Sequence, residues 1–134
     1  DLPYCFNRKE AKDHGEGGAL VGYQVKDGDS VAIIEDVVTA GTAVRETLAF
    51  FEALGKKVKV THLFVSADRM ERGTGERTTL DELRADYGIA VHPIVTIRDI
   101  QSFLLNLEVD GEVVVDDHRA AQIDAYLAQY GAQG

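Results

Sequence analysis

The sequence predicts an α/β fold in which a mostly parallel sheet is flanked by helices. Strand-like and helix-like segments alternate along the 134 residues. The run Val31 to Ile34 is apolar without polar alternation, which is typical of a strand covered on both faces in a parallel sheet. Apolar residues at helical spacing follow at Val44, Leu48 and Phe51. We expect residues 1–134 to form a single domain.

Further strands are expected on both sides of this segment. Leu2 to Phe6, Lys59 to Val65 and Ile89 to Ile97 all have strand-like composition. Pro93 has no N–H to donate to a strand ladder, so the strand that contains it is expected at a sheet edge or with a bulge.

Helix ends are marked by capping and stop residues. The first helix is expected to end at Gly55. The sequence Thr79 to Glu82 has the pattern of a capping box and predicts a helix that runs to about Tyr87. Asp99 is expected to cap a further helix that runs to about Leu107.

The C-terminal third contains a hairpin signal and a last helix. Asp110-Gly111, flanked by valines within Glu108 to Asp117, predicts a hairpin turn, to which we assign no function. The helix is predicted from a core-packing apolar stripe formed by Ala120, Ile123, Leu127 and Tyr130.

Composition excludes several classes of protein. The formal net charge of −9 argues against nonspecific binding to nucleic acid, which requires clustered positive charge. A single cysteine, Cys5, cannot form an internal disulfide and fits a reducing compartment. No apolar run approaches a membrane span, so we expect a cytoplasmic protein without a membrane partner. The scattered histidines are interpreted as structural or surface residues rather than zinc ligands: His62, His92 and His118.

The most informative stretch follows the apolar strand. Glu35 and Asp36 can accept hydrogen bonds from ribose hydroxyls or help to place a hydrated divalent cation. The small residues Thr39 to Thr42 let the backbone approach a phosphate closely, and Gly41 supplies permissive backbone geometry. The next helix then directs its free N–H groups at that phosphate. The alternative is an ordinary strand-to-helix turn with a solvated acidic pair.

This segment resembles the phosphoribosyl pyrophosphate (PRPP) motif of the type I phosphoribosyltransferases, in which two acidic residues precede a Thr-x-Gly-Thr loop. The resemblance implies the fold of that family. It also implies a PRPP-binding set that comprises Glu35, Asp36, Val37, Val38, Thr39, Ala40, Gly41, Thr42 and Ala43.

A basic cluster lies near the N-terminus of this acidic chain. Arg8, Lys9, Lys12 and His14 fall within seven positions and are followed by glycines, which suits a loop that closes over a diphosphate. The pattern resembles the flexible catalytic loop of the orotate phosphoribosyltransferases, here at residues 8–18. The alternative is an exposed charged loop without a ligand.

A second match to the same family follows the strand that begins at Lys59. The sequence Ser66 to Gly73, SADRMERG, resembles that family's orotate site, which implies that Arg69 binds the orotate carboxylate. The planar guanidinium can bind a carboxylate in bidentate fashion. From composition alone, Arg69 and Arg72 would instead be surface residues paired with Asp68 and Glu71.

The resemblance implies Mg²⁺-dependent transfer of ribose 5-phosphate from PRPP to orotate. The metal would be held mainly by PRPP oxygens and water, with no dedicated protein ligands, and a homodimer would share the catalytic loop between subunits. The implied catalytic residues are Lys9, Lys12, His14 and Asp36, with Arg8 as a further PRPP contact and with Thr39 and Arg69 at orotate.

The match corresponds to the C-terminal portion of that family, because the upstream segment that contacts orotate and pyrophosphate is not visible. We therefore expect a fragment, a processed product or one piece of a split protein. Two other functions stay open. One is a phosphoribosyltransferase for another base, and the other is a nonenzymatic PRPP-binding module or an inactive fragment.

Overall fold

The structure is a computed structural model that describes residues 2–7 and 20–132. The proposed catalytic loop at residues 8–18 lies outside the described residues. None of the described helices is long and apolar enough to cross a bilayer. In chain order the elements are β1 (Cys5–Asn7), β2 (Leu20–Gly22), β3 (Ser30–Val38), α1 (Thr42–Ala53), β4 (Lys59–Asp68), α2 (Thr79–Tyr87), β5 (Ala90–Thr96), α3 (Ile97–Leu104), β6 (Glu108–Val109), β7 (Glu112–Val113) and α4 (Asp117–Tyr130).

The three longest strands form one parallel sheet in the order β3-β4-β5. This confirms the predicted parallel sheet, and it places Pro93 in an edge strand, as expected. A separate antiparallel pair joins β1 to β2. The predicted hairpin is also confirmed, because β6 pairs with β7 across Asp110 and Gly111, both of which have positive φ.

Helices cover one face of the parallel sheet among the described residues. Ile33, Leu63 and Val91 are register neighbours on that face. On the opposite face, Ile34 is 80% exposed and Ile94 is 74% exposed. The prediction that β3 is covered on both faces is therefore wrong for the described residues, because successive strand residues face opposite sides and only one side meets helices. The core comprises Ile33, Val38, Val44, Leu48, Leu63, Val65, Leu80, Leu83, Ile89 and Val91.

The first two helices occur where the sequence places them. Helix α1 is followed by Gly55, whose φ of 65° ends it as predicted. Helix α2 is capped by Thr78, whose side chain accepts a hydrogen bond from the Asp81 N–H. The predicted cap at Thr79 is thus one residue late, because the Thr79 hydroxyl donates instead to the carbonyl of Thr39.

The third helix also begins earlier than predicted. Thr96 is its cap, and Asp99, the expected cap, is the third helical residue of a reciprocal capping box. Helix α3 ends at Leu104 rather than near Leu107. The Asn106 backbone there adopts a positive φ of 55°, which is incompatible with a continuing right-handed helix.

The predicted C-terminal helix is confirmed as α4. Asp116 caps it by accepting a hydrogen bond from the Arg119 N–H at 2.7 Å. Leu127 of the predicted apolar stripe is buried, whereas Tyr130 is exposed. The carboxyl end of α4 reaches the segment after β4, where Gly131 forms a backbone bridge with Glu71.

Candidate functional site

The carboxyl ends of the three parallel strands meet at one edge of the sheet. Val38 of β3 pairs with Asp68 of β4, which in turn pairs with Thr96 of β5. Adjacent strands in a sheet lie about 4.8 Å apart. The loops that begin at Thr39 and Arg69 therefore start side by side, so two motifs that are distant in sequence share one edge.

The two acidic residues lie inside β3, which continues past them to Val38. Glu35 is half-buried and Asp36 is exposed. The Val37 N–H donates to Asp36 Oδ1 at 2.6 Å. The acidic pair thus places two carboxylates close to the carboxyl end of β3.

The loop after β3 turns sharply at Gly41, which has a φ of 74°. A side chain there would be strained and crowded, because a Cβ would lie 3.0 Å from Thr79 Cγ2 and 3.5 Å from Leu83 Cδ1. The Thr79 hydroxyl donates to the Thr39 carbonyl at 2.6 Å. Helix α2 therefore packs against this loop and supports it through one hydrogen bond.

Helix α1 begins directly at the end of this loop. Gly41 is its N-cap residue and provides no side-chain cap. The first N–H groups of a helix have no intrahelical acceptor, and together with the helix dipole they favour an anion. Thr42 and Ala43 in that first turn are exposed. The predicted arrangement of strand, small-residue loop and open helix N-terminus is thus present.

The segment after β4 is held in a strained turn. Met70 has a φ of 54°, a left-handed conformation that costs a non-glycine residue about 1–2 kcal/mol. Two hydrogen bonds hold it there: its N–H donates to Asp68 Oδ1 at 2.8 Å, and its carbonyl accepts from the Ala132 N–H at 3.2 Å. Burial raises the pKa of the Asp68 carboxyl. This turn places Arg69 and Glu71 next to each other.

Arg69, the predicted orotate ligand, belongs to a three-residue network. Its Nη2 atom lies 2.5 Å from Glu71 Oε1 and 3.3 Å from the Tyr126 hydroxyl. The Tyr126 hydroxyl donates to Glu71 Oε1 at 2.7 Å, and this bond raises the pKa of the phenol. A cavity of about 430 Å³ borders Arg69, Glu71 and Tyr126.

The pairing expected from composition alone is therefore present for Arg69 and Glu71. Within the described ranges it is absent for Arg72, because Arg72 Nη2 donates to the Gln129 carbonyl at 2.5 Å instead of to a carboxylate. The Arg72 N–H donates to the Tyr130 carbonyl at 2.8 Å. Both bonds fasten the segment to the end of α4.

Glu82 of α2 supports the following loop. Its carboxylate accepts hydrogen bonds from the Thr74 hydroxyl at 3.1 Å and the Gly75 N–H at 2.8 Å. Bonds from Thr74 and Gly75, with the nearby Arg45 guanidinium, hold the pKa of Glu82 below its ordinary value. A Cβ at Gly73 would lie 2.3 Å from Glu82 Oε2, so a larger residue there would displace this carboxylate from its present position.

The described part of the chain brings together two of the three predicted groups of site residues. The groups at residues 35–43 and at Arg69 share one sheet edge. The third group lies outside the described residues, and it consists of Arg8, Lys9, Lys12 and His14.

Sequence reasoning missed the residues that support these loops. Tyr126 is three positions after Ile123 and so falls on the apolar stripe of α4, but no sequence pattern links it to Arg69, 57 positions earlier. The sequence pattern predicts a helix cap at Thr79 and a capping-box role for Glu82, whereas in the fold their side chains bind the carbonyl of Thr39 and the N–H of Gly75. Their contacts depend on tertiary packing.

Sequence and structure comparisons find the same kind of protein. No family model matches the sequence. The orotate phosphoribosyltransferase of Lachnoclostridium phytofermentans is 48% identical over 99% of this chain, and the one of Clostridium beijerinckii is 44% identical over 99%. The crystal structure of orotate phosphoribosyltransferase from Francisella tularensis matches with a TM-score of 0.71 at 25% identity, covering 98% of this chain and 57% of that one.

The matched region is only part of each relative. The chain spans 59% of the length of the Lachnoclostridium and Clostridium proteins. The extent of these matches agrees with the expectation that the sequence corresponds to a portion of such a protein. Over nearly its whole length the chain is therefore similar to a C-terminal portion of the orotate phosphoribosyltransferases.

Proposed function

We propose that the protein acts as an orotate phosphoribosyltransferase in the cytoplasm, joining orotate to C1 of the PRPP ribose and releasing pyrophosphate, with orotidine 5′-monophosphate as the product. One observation supports this above all. The PRPP-like loop after β3 and Arg69 after β4 follow paired strand residues, Val38 and Asp68, at one sheet edge. A ribose 5-phosphate and a carboxylate-bearing base would meet there.

In this proposal the loop Thr39 to Ala43 anchors the 5′-phosphate. The positive φ of Gly41 and the uncapped start of α1 support this role, because they expose backbone N–H groups to the loop. Glu35 and Asp36 accept hydrogen bonds from the ribose hydroxyls. The same carboxylates stabilise positive charge that develops on the ribose as pyrophosphate departs.

The donor set fits Mg²⁺ in a supporting position. Carboxylate oxygens are the ligands that Mg²⁺ prefers, and Asp36 is exposed at the strand end. No group of three potential protein ligands occurs among the described residues, so PRPP oxygens and water are proposed as the main ligands. When bound, Mg²⁺ neutralises the diphosphate and makes it a better leaving group.

Arg69 is proposed to bind the orotate carboxylate, with Thr39 beside the base. A guanidinium recognises a carboxylate through charge-assisted hydrogen bonds. Thr39 and Arg69 each follow one member of the paired residues Val38 and Asp68. The base and the ribose would therefore be bound by adjacent loops.

The basic loop is proposed to complete the site. Arg8, Lys9, Lys12 and His14 would close over the diphosphate and exclude water, which could otherwise hydrolyse the activated ribose. We further propose a homodimer in which this loop serves the partner's site. Lys12→Ala should lower turnover far more than it lowers the free energy of unfolding, and equal turnover in wild type and variant would contradict the role of Lys12.

An assay of orotidylate formation from PRPP, Mg²⁺ and orotate tests the proposed function, applied to this chain and to the complete protein that contains it. Arg69→Ala should strongly raise the KM for orotate, so that product formation is measurable only at high orotate concentrations. Arg77→Ala is the matched control, because Arg77 is an exposed arginine in the same connection between β4 and α2. Product formation with adenine or hypoxanthine in place of orotate would support a phosphoribosyltransferase for another base.

A second function is favoured by the length of the matches. Because the chain spans 59% of its relatives, it could serve alone as a PRPP-binding module whose catalysis needs the remaining part. PRPP binding by the isolated chain without orotidylate formation would support this module. Turnover by the isolated chain would exclude it.

A further inference from the structure

Arg69 has a long side chain that is 45% exposed, and an exposed ion pair by itself holds such a side chain weakly. Here the pair has a third member. The Tyr126 hydroxyl accepts from Arg69 Nη2 and donates its single proton to Glu71, so each of the three groups contacts the other two. A closed triangle of this kind restrains the guanidinium more than the ion pair alone.

The two partners of Arg69 are themselves well anchored. The side chain of Glu71 is 18% exposed, its carbonyl accepts from the Thr79 N–H, and its backbone bridges to Gly131. The ring of Tyr126 packs on that of Tyr130, with 4.8 Å between the centroids. A tyrosine has only two side-chain torsions, so it provides a rigid support at low entropic cost.

The contacts use only one end of the guanidinium. Both Glu71 and Tyr126 bind Nη2, and within the described ranges Nη1 and Nε of Arg69 have no hydrogen-bond partner. A guanidinium has five N–H donors, so fixing Nη2 leaves donors for a further acceptor. The network therefore orients Arg69 without exhausting its hydrogen-bonding capacity.

We propose that Tyr126 is a positioning residue that, together with Glu71, holds Arg69 in the orientation in which it receives the carboxylate of the base. This inference rests on the proposed function of Arg69. Tyr126 acts through Arg69 and does not touch the reacting atoms. It thereby contributes to the preference for a carboxylate-bearing base.

The test is steady-state kinetics of the complete protein that contains this chain, with Tyr126→Phe compared with Tyr130→Phe. Tyr130 is a matched control, because it packs on Tyr126 and is similarly exposed, at 46% against 42%. Tyr126→Phe should raise the KM for orotate roughly five- to twentyfold, since it removes two bonds to charged groups. The KM for PRPP and the turnover at saturation should stay within about twofold of wild type.

Two further measurements separate positioning from general destabilisation. In an Arg69→Ala background, Tyr126→Phe should add nothing to the orotate KM, because a residue that acts through Arg69 has no effect once Arg69 is gone. Inhibition by uracil, which lacks the carboxylate, should be equal in wild type and Tyr126→Phe. Additive effects in the double variant would overturn the proposal.

The remaining outcomes are also decisive. An unchanged orotate KM in Tyr126→Phe overturns the positioning role, and a lowered KM does so by showing that the network competes with the base. A parallel rise in both the orotate and PRPP KM values indicates a structural role and overturns it as well. If the wild-type protein forms no orotidylate, the proposed function fails and this inference fails with it. If the wild-type protein is active and one of the contradicting results is found, only the positioning role of Tyr126 fails.

Discussion

Two loops at the same sheet edge are built in different ways. The loop after β3 takes its shape from its own residues, because Gly41 adopts the positive φ and α1 begins immediately after it. The segment after β4 is held by a distant helix, through bonds from Arg72 to the carbonyls of Gln129 and Tyr130. The first arrangement is local in sequence, and the second depends on long-range packing.

In the proposed function the two loops have different roles. The loop after β3 binds PRPP, and the segment after β4 selects the base. A phosphate-binding loop needs backbone N–H groups and close approach, which a short segment can supply. Recognition of a carboxylate needs one side chain in one orientation, and here that side chain is oriented by Glu71 and by Tyr126 of α4. Changes in α4 should therefore affect the second loop and spare the first.

The largest effect is expected from Leu127→Ala, which empties a buried position on α4. Such substitutions cost about 2–5 kcal/mol of unfolding free energy. Ile34→Ala is the control, because Ile34 is an exposed aliphatic residue on the sheet face that no described helix covers. Surface changes usually stay within about 0.5 kcal/mol. Amide hydrogen exchange should accelerate at residues 69–73 and much less at 41–45. Equal acceleration in both loops would contradict the proposed independence.

Gly41→Ala should have the next largest effect. The new methyl group would be strained by the φ of 74° and would lie 3.0 Å from Thr79 Cγ2. Gly55→Ala is the matched control at the other end of α1, with a φ of 65° and open space around it. Both variants should lose about 1–2 kcal/mol in chemical denaturation, and Gly41→Ala should lose more because of the contact. Only Gly41→Ala should weaken PRPP binding measured by calorimetry, and equal weakening in both would contradict the assignment of the loop.

Thr79→Val tests the one long-range hydrogen bond to the first loop that the described residues make. It removes the hydroxyl that donates to the Thr39 carbonyl and keeps the shape of the side chain. Thr78→Val removes the cap of α2 instead. Both should cost about 1 kcal/mol of unfolding free energy. Faster amide exchange at residues 40–42 is expected only in Thr79→Val, and its absence would mean that the loop holds its shape without α2.

The smallest effect is expected from Glu82→Gln, seen as a change in pH dependence. The folded-state pKa of Glu82 is lowered, so its ionised form stabilises the protein above the ordinary value of 4.5. That stability is lost as the pH falls through the lower folded-state pKa. Urea denaturation should show wild type more stable than the variant at neutral pH, with the difference shrinking below 4.5. A constant difference between wild type and Glu82→Gln across this pH range would contradict the linkage.

The distinction between local and long-range support also explains what could be predicted from the sequence. The strand, acidic pair, loop and helix between Val31 and Ala53 follow one another directly, so periodicity and small residues suffice to predict them. The hairpin turn at Asp110-Gly111 was equally local, because each residue adopts the positive φ that this dipeptide favours.

Features that depend on distant contacts could not be predicted in this way. The predicted cap at Thr79 is one residue late and the predicted cap at Asp99 is three residues late, because the sequence offers several capping residues and the contacts of the fold select among them. The prediction that both faces of β3 are covered was wrong for the described residues, because apolar composition does not reveal which part of a protein covers a strand. The Arg69 network joins residues 57 positions apart, and no spacing rule connects them.

The most direct test of the central claim is a titration of the ¹⁵N-labelled chain with Mg²⁺ and PRPP, followed by amide chemical shifts. The largest changes should occur at residues 39–43, and orotate added afterwards should shift residues 69–72 and the Tyr126 region. Changes confined to other parts of the chain, or none at residues 39–43 under saturating PRPP, would contradict the assignment of this sheet edge as the binding site.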